Sequence, residues 1–274
     1  MEIKVLGPLE VLENGVSVAP SACKPRQVLA LLALRAGRVV PVPTLMEEIW
    51  GERIPQSAVT TLQTYILQLR RKLAAAQEST GGDRSSKDIL ATTYGGYLLS
   101  PDGAGSDVAE FEQLAVRGTN ALESGDARQA STLLARALGL WRGPALVDVQ
   151  AGHVLGLEVQ GLEEARMQVL SQRIEADLRL GRHAVLLREL RVLVAQHPLH
   201  ETLCGQFMLA LYRSGSAWRA LGAYQHLRRT LAEELGIEPS RQLQRLHQAM
   251  LTGDPALTPE PAPLVESFVL ASSW

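Results

Sequence analysis

Between Ser57 and Ala76 the chain reads SAVTTLQTYILQLRRKLAAA, and this stretch restricts the fold more than any other. Val59, Leu62, Ile66, Leu69 and Leu73 recur three and four residues apart, which is one apolar stripe of an amphipathic helix. At about 100° per residue, Thr60, Thr64 and Arg71 project from the opposite side. Gln63 and Gln68 flank that face, Leu67 lies on it, and Arg70 and Lys72 stand at its shoulders. The segment holds no acidic residue. Gln can pair with adenine edges, Thr with either base type, and Arg with guanine or phosphate, so this outer face has the chemistry to read a major groove. The bland reading uses the same residues. Thr and Gln are ordinary solvent-facing side chains, and Arg-Arg-Lys near a helix C-terminus suits the macrodipole. The neighbouring segments decide between the two.

The 274 residues suggest two domains at about 150 residues each. Residues 1–100 hold 11 Lys/Arg against 9 Asp/Glu, and the rest 16 against 20, so the small excess of positive charge lies with the basic cluster. The two cysteines, Cys23 and Cys204, form no CxxC pair, which speaks against a zinc ribbon. Unpaired thiols fit a reducing cytoplasm. Cys23, beside Lys24, is expected as a buried residue at a strand end rather than as an activated thiol. The opening MEIKVLGPLEVLENG lacks a basic start and apolar run, so no signal peptide is expected. No apolar stretch reaches the roughly 18 residues of a membrane span, and PLVESFVLASSW is interrupted by Glu266.

In chain order, residues 2–20 read as short strands, with Asn14-Gly15 as a hairpin turn between alternating apolar residues. Lys24-Pro25-Arg26 opens a helix running through Val28, Leu29, Leu31, Leu32 and Leu34 to Gly37. Arg38–Val40 is a short extended piece. PTLMEEIWG forms a second helix, with Leu45, Ile49 and Trp50 inward and Gly51 as its stop. Ser57 is the expected cap of the long basic helix. A Gly/Ser-rich loop follows, then strands at residues 89–93 and 97–99 joined by Tyr94-Gly95-Gly96.

PDGAGS, residues 101–106, reads as a linker, and from Asp107 to about Met250 the chain reads as helices. ALESGDARQASTLLARALGLWRG, LRLGRHAVLLRELRVLV and LYRSGSAWRALGAYQHLRR each show a helix end, a glycine and a second amphipathic helix. Gly181 and Gly215 are 34 residues apart, the tetratricopeptide period. Gly125 and Gly181 are 56 apart, which implies an insertion that includes GPALVDVQAGHV, residues 143–154. Helical-hairpin repeats bind proteins more often than they catalyse reactions. Trp141 and Trp218 are expected in the repeat core. Pro239 and the helix RQLQRLHQAM close the array, and residues 251–274 are expected as a flexible tail.

The order strands, helix, short strand, helix, long helix, hairpin is that of an OmpR-type winged helix-turn-helix. KPRQVLALLAL, TLMEEIWG, TLQTYILQLRRKL and TTYGGYLL resemble the Streptomyces antibiotic regulatory protein family, and the resemblance extends over residues 2 to about 250. It implies a mainly α chain: an α+β winged-helix domain at 1–100, a linker at 101–106, and an all-α, tetratricopeptide-like bacterial transcriptional activation domain at 107–250. It further implies a cytoplasmic activator of a biosynthetic gene cluster, nucleoid-associated when bound. The expected partners are direct repeats of double-stranded promoter DNA near the −35 region, RNA polymerase holoenzyme, and neighbouring copies of the chain in tandem. On this resemblance Thr60, Thr64, Gln68 and Arg71 face bases. Arg70, Lys72, Lys24 and Arg26 hold phosphates, and Thr93 and Tyr94 place the wing tip. Larger family members continue into an ATPase domain, so the chain is either a small member or part of a longer regulator.

No feature favours an enzyme, a cofactor or a metal. His197 and His200, in HPLH, are expected as solvated turn residues. The glycine pairs match neither a phosphate-cradling loop nor a dinucleotide fingerprint, and no nucleophile motif occurs. A protein-binding tetratricopeptide scaffold and a ligand-sensing regulator remain as alternatives.

Overall fold

The computed structural model describes residues 1–101 and 105–257. Strands β1 (Glu2–Lys4), β2 (Glu10–Glu13) and β3 (Val16–Ser17) form an antiparallel sheet in that order. Asn14 and Gly15 both take positive φ, 50° and 81°, as a tight two-residue hairpin demands, and Glu13 faces Val16 across it. Helix α1 (Cys23–Leu34) is buried on nearly every side from Pro25 to Ala33. Strand β4 (Val39–Pro41) leads into α2 (Val42–Trp50), which stops at Gly51 with φ 58°. The long helix α3 (Ala58–Thr80) follows and ends on left-handed Gly81. A one-turn helix absent from the sequence reading, α4 (Ser86–Ile89), precedes the hairpin β5 (Leu90–Thr93) and β6 (Gly96–Leu99). The second sheet has the order β4-β6-β5, so the hairpin is anchored through Pro41–Gly96 and Val39–Leu98 pairing.

Seven α-helices follow among the described residues: α5 (Asp107–Glu123), α6 (Ala127–Gly139), α7 (His153–Arg179), α8 (His183–Gln196), α9 (Glu201–Arg213), α10 (Ala217–Leu235) and α11 (Arg241–Thr252). The three glycine junctions share one closing motif. Gly125, Gly181 and Gly215 have φ of 87°, 73° and 78°. The next residue's N–H reaches back five positions each time: Asp126 to Ala121, Arg182 to Asp177, Ser216 to Leu211, at 2.9–3.0 Å. That is the bonding of a Schellman cap, which needs a left-handed residue. The long spacing between the first two junctions is taken up by an irregular stretch, residues 140–152, and by the 27-residue α7.

The chain divides into two compact units: Met1–Thr119 with Thr132–Leu170, and Asn120–Ser131 with Ser171 onward. In the first unit the inserted stretch lies against the N-terminal strands and helices. Arg142 N–H donates to the Leu6 carbonyl at 2.8 Å, and Leu146 N–H to Val5 at 3.0 Å. Asp148 accepts from the Leu9 N–H at 2.8 Å and pairs with Arg26. Asp107, at the start of α5, accepts from the N–H groups of Val5 and Leu6 at 2.9 Å. Burial pushes the Asp107 carboxyl up, while those N–H donors and the Arg142 guanidinium oppose the shift. Leu146 and Leu155 belong to the same buried cluster as Leu29, Leu45, Leu62, Ile66 and Leu69. Trp141 meets Phe111 edge-on at 5.5 Å, and the Arg166 guanidinium lies over the Trp141 ring at 4.6 Å.

Glu48 ties this unit together. It is 2% exposed, and its carboxylate accepts from the Gln27 side chain at 2.7 Å, the Gly152 N–H at 2.6 Å and the Leu155 N–H at 2.8 Å. A side chain of α2 thus caps the first turn of α7, accepting from donors that Gly152, which has no side chain, cannot satisfy. A Cβ at Gly152 would overlap the Glu48 carbonyl oxygen, so only glycine permits this approach.

In the second unit, Cys204, Met208, Leu211, Ala220, Tyr224, Leu227, Leu231, Leu243 and Met250 pack together. Buried Asp177 accepts from the Ser131 hydroxyl and the Arg182 guanidinium, each at 2.8 Å. Burial raises the Cys204 thiol to about 12, with Glu201 adding to the effect, so it is inert. Trp218 is not a core residue: it is 77% exposed at the start of α10, where the large ring falls on the solvent side of the apolar stripe. His197 is exposed, but His200 is half-buried, and its Nδ1 accepts from the Leu203 N–H at 3.3 Å as the cap of α9. Pro255–Leu257 form a short 3-10 turn whose last carbonyl accepts from Arg213 at 2.8 Å. The rest of the expected tail, residues 258–274, and residues 102–104 of the expected linker lie outside the described residues.

Candidate nucleic-acid interface

Helix α3 owes its orientation to Leu62, Ile66, Leu69, Leu73 and Ala76, which are buried against α1 and α2. Burying five such side chains is worth several kcal/mol at roughly 25 cal/mol per Å² of apolar surface, so the opposite face is held outward. Thr60, Thr64, Gln68 and Arg71 are all exposed on that face, with Gln63 and Lys72 beside them. Leu67 is 49% exposed there, as its phase requires. Val59 departs from the expected stripe. It is 48% exposed, because the buried line begins at Ala58, one position earlier. Ser57 occupies the cap position, yet its hydroxyl accepts no helix N–H. Its ψ of 7° departs from the extended backbone of a capping residue, and its carbonyl accepts from both the N–H and the hydroxyl of Thr61 at 2.9 Å.

Two details set what this face can offer. The Thr64 hydroxyl donates to the Thr60 carbonyl at 3.0 Å, so its lone pairs and methyl group remain for a ligand. Arg71 and Lys72 have no ion-pair partner among the described residues, and α3 carries no acidic side chain before Glu78. An unneutralised cationic, amide and hydroxyl surface on a rigid helix suits a groove lined by acceptors.

Arg70 has a different occupation. It is half-buried, and its Nε and Nη2 donate to the Leu90 carbonyl at 2.9 and 2.7 Å, with Nη2 also reaching the Thr92 hydroxyl at 2.8 Å. The guanidinium fork binds β5 to α3. The hairpin it steadies has Tyr94 wholly exposed at its tip and Gly95 at φ 80°. Val42 N–H donates to the Gly95 carbonyl at 3.0 Å, fixing the tip from the other side. Thr93 is turned inward, its hydroxyl buried without a hydrogen-bond partner among the described residues.

The remaining cations are dispersed. Lys24 is exposed at the start of α1, its Nζ 5.4 Å from the centre of the Trp50 ring. Arg26 is engaged by Asp148 and by the carbonyls of Leu9 and Pro20 at 3.2 and 3.1 Å. Cys23 is neither buried nor at a strand end: it opens α1, exposed, and its thiol faces the Gln150 side chain at 3.2 Å. Sequence reasoning passed over Arg53, an exposed cation in the α2–α3 connection without an ion-pair partner among the described residues. A lone Arg shortly before a basic helix was the available signal. Glu48 was missed altogether, since a Glu in a helix carries no mark of burial. No cluster of three or more His, Cys, Asp or Glu that could hold a metal ion occurs among the described residues, and no helix there is long and apolar enough to cross a membrane.

A basic helix, presented outward and braced to a β-hairpin, followed by helical repeats, defines a winged-helix transcriptional regulator. The sequence profile "Transcriptional regulatory protein, C terminal" matches residues 21–99, and "Bacterial transcriptional activator domain" matches 106–251. Regulatory protein DnrI of Streptomyces peucetius is 55% identical over 257 residues, 94% of each chain. Transcriptional regulator RedD of Streptomyces coelicolor is 36% identical over 259 residues, 94% of this chain and 72% of that one. Regulatory protein AfsR of Streptomyces griseus is 36% identical across 96% of this chain, which spans only 26% of that longer protein. The solved structure of Mycobacterium tuberculosis EmbR in complex with a low-affinity phosphopeptide superposes with a TM-score of 0.84 at 33% identity, over 93% of this chain and 65% of that one. The chain belongs to the Streptomyces antibiotic regulatory protein family. That family consists of transcriptional regulators, not enzymes.

Proposed function

We propose that the chain is a sequence-specific, DNA-binding activator of an antibiotic or other secondary-metabolite gene cluster, acting in the cytoplasm at the nucleoid. In this reading α3 enters the major groove at direct repeats near the −35 region. Thr60, Thr64, Gln68 and Arg71 read bases, Lys72 and Lys24 hold phosphates, and Tyr94 reaches the flanking minor groove. Arg70 acts as a positioning residue that sets the wing relative to α3, and Arg26 holds the Asp148 stretch. The helical repeats contact RNA polymerase holoenzyme and a neighbouring copy on the adjacent repeat. The observation that carries the reading is the outward face of α3, free of acidic side chains from Ala58 to Gln77 and coupled to the hairpin through Arg70.

Footprinting on the promoters beside its own gene, at stated salt, tests it. The expected result is protection of tandem sites that random DNA at equal concentration does not compete away. Equal affinity for promoter and random DNA would overturn the base-reading assignment. One observation favours a ligand-sensing role as a second reading: a cavity of about 330 Å³ bounded by Glu201, Gly205, Leu209, Leu243 and Leu246. A metabolite library that leaves the melting temperature unmoved would dismiss it.

A further inference from the structure

The surface between α10 and α11 carries positive charge that the fold does not use. Arg241 is the first residue of α11, whose first turn holds no acidic side chain. A cation at a helix N-terminus opposes the macrodipole. Arg245 stands one turn further on, and like charges four apart repel. Both are exposed, and neither side chain makes an ion pair or hydrogen bond with a described residue. Arg228 reaches the same concavity from α10, held by Glu238 through two bonds of 2.7 and 2.9 Å. Its floor is a stacked pair, Tyr224 and His247, 3.9 Å apart and 12° from parallel. Burial and then the Arg228 charge hold His247 below its ordinary pKa. The concavity measures about 700 Å³ and is open to solvent.

We propose that this concavity is a docking surface for an acidic peptide segment of the transcription machinery, two of whose carboxylates bridge Arg241 and Arg245. The proposal rests on the activator reading above and names the surface through which polymerase is held. Charge complementarity argues for an anionic occupant, since one would turn the Arg241–Arg245 repulsion into paired attraction. A nucleic-acid occupant fits less well. A protein surface that holds DNA makes several phosphate contacts, about 6–10 in a typical case, whereas two unpaired guanidiniums stand here. The exposed Gln248 amide, beside an aromatic floor, suits a peptide backbone.

The test uses the full chain and the double variant Arg241→Glu/Arg245→Glu. Both residues are exposed, and unchanged circular dichroism with a melting temperature no lower than that of the native chain establishes that the variant is folded. Three measurements are made: promoter gel shift, supershift by purified RNA polymerase holoenzyme, and direct binding of holoenzyme to the immobilised chain without DNA. We expect the gel shift to stay within about twofold and both holoenzyme measurements to weaken about tenfold or more. A gel shift that weakens as much as the holoenzyme measurements would make the surface a DNA contact and overturn the proposal. Unchanged holoenzyme binding would also overturn it, as would a native chain that binds no holoenzyme in either format. Absence of any promoter shift by the native chain would instead refute the DNA-binding reading, leaving the direct measurement to judge this surface.

Discussion

Replacing Glu48 measures how far the winged-helix elements depend on residues a hundred positions away. The Glu48→Ala substitution removes three hydrogen bonds to a carboxylate, from Gln27, Gly152 and Leu155. Bonds to charged groups are each worth about 1.5–3 kcal/mol, but they share one carboxylate and do not add. The donors left behind are neutral and buried or half-buried, and leaving each unsatisfied costs about 1–3 kcal/mol, so the three together cost about 3–5 kcal/mol once partial relaxation is allowed for. Glu48→Gln is milder. Its oxygen can keep the two bonds now made to Oε1, while its NH2 replaces Oε2 and faces the Leu155 N–H. One lost bond with a donor against a donor costs about 2 kcal/mol. The control is Arg35→Ala, which breaks a partly exposed pair with Glu158 at 2.8 Å and costs at most about 1 kcal/mol. Urea unfolding, followed by Trp50 and Trp141 fluorescence with Trp218 and Trp274 replaced by Phe, reads the first unit alone. A Glu48→Ala loss no larger than that of Arg35→Ala would refute the claim that this carboxylate holds α1, α2 and α7 together.

Thr64→Ala and Gln68→Ala should each reduce discrimination at particular base pairs by about 1–3 kcal/mol; equal loss on specific and random DNA in competition gel shifts would remove them from base reading. Lys72→Ala should weaken binding to all sequences and lower the salt slope by about one. Arg70→Ala should lower affinity and also raise hydrogen exchange in β5, since its fork is spent on Leu90 and Thr92; unaltered exchange would leave the bracing role unsupported. The second unit should lose stability in acid. Burial lowers the pKa of His200, whose neutral Nδ1 caps α9, and burial followed by the Arg228 charge lowers that of His247. The unfolded chain then takes up protons first, so this stability is complete above about 6.5 and is lost as the pH falls from there through the lowered folded values. Urea midpoints at pH 7.5 and 5.5 should differ, and less so in His200→Asn, which caps without titrating; an equal drop in both chains would refute the assignment to His200.

What the amino-acid order determines alone is local. Asn14-Gly15 specifies a tight hairpin because both positions need positive φ. The three- and four-residue spacing of Leu62, Ile66, Leu69 and Leu73 sets the phase of α3 and so puts Thr64, Gln68 and Arg71 outward. Gly125, Gly181 and Gly215 mark three caps of one kind, since each signal lies within six residues of its effect. Tertiary structure alone decides what covers each apolar face and which charges are already spoken for. Periodicity shows that α1 is apolar, but not that residues 142–155 lie against the strands and helices before it. The bonds of Glu48 to Gly152 and Leu155, of Asp107 to Val5 and Leu6, and of Asp148 to Leu9 join residues more than a hundred positions apart and leave no local pattern. Arg26 and Arg70 look like free cations in sequence and are committed in space, to Asp148 and to the Leu90 carbonyl. Trp218 looks like core and is exposed, because size and hydrophobicity do not say which side of a helix has a neighbour. A side chain's own chemistry and spacing are written in the chain, whereas its partners come from whichever distant segment the packing brings to it.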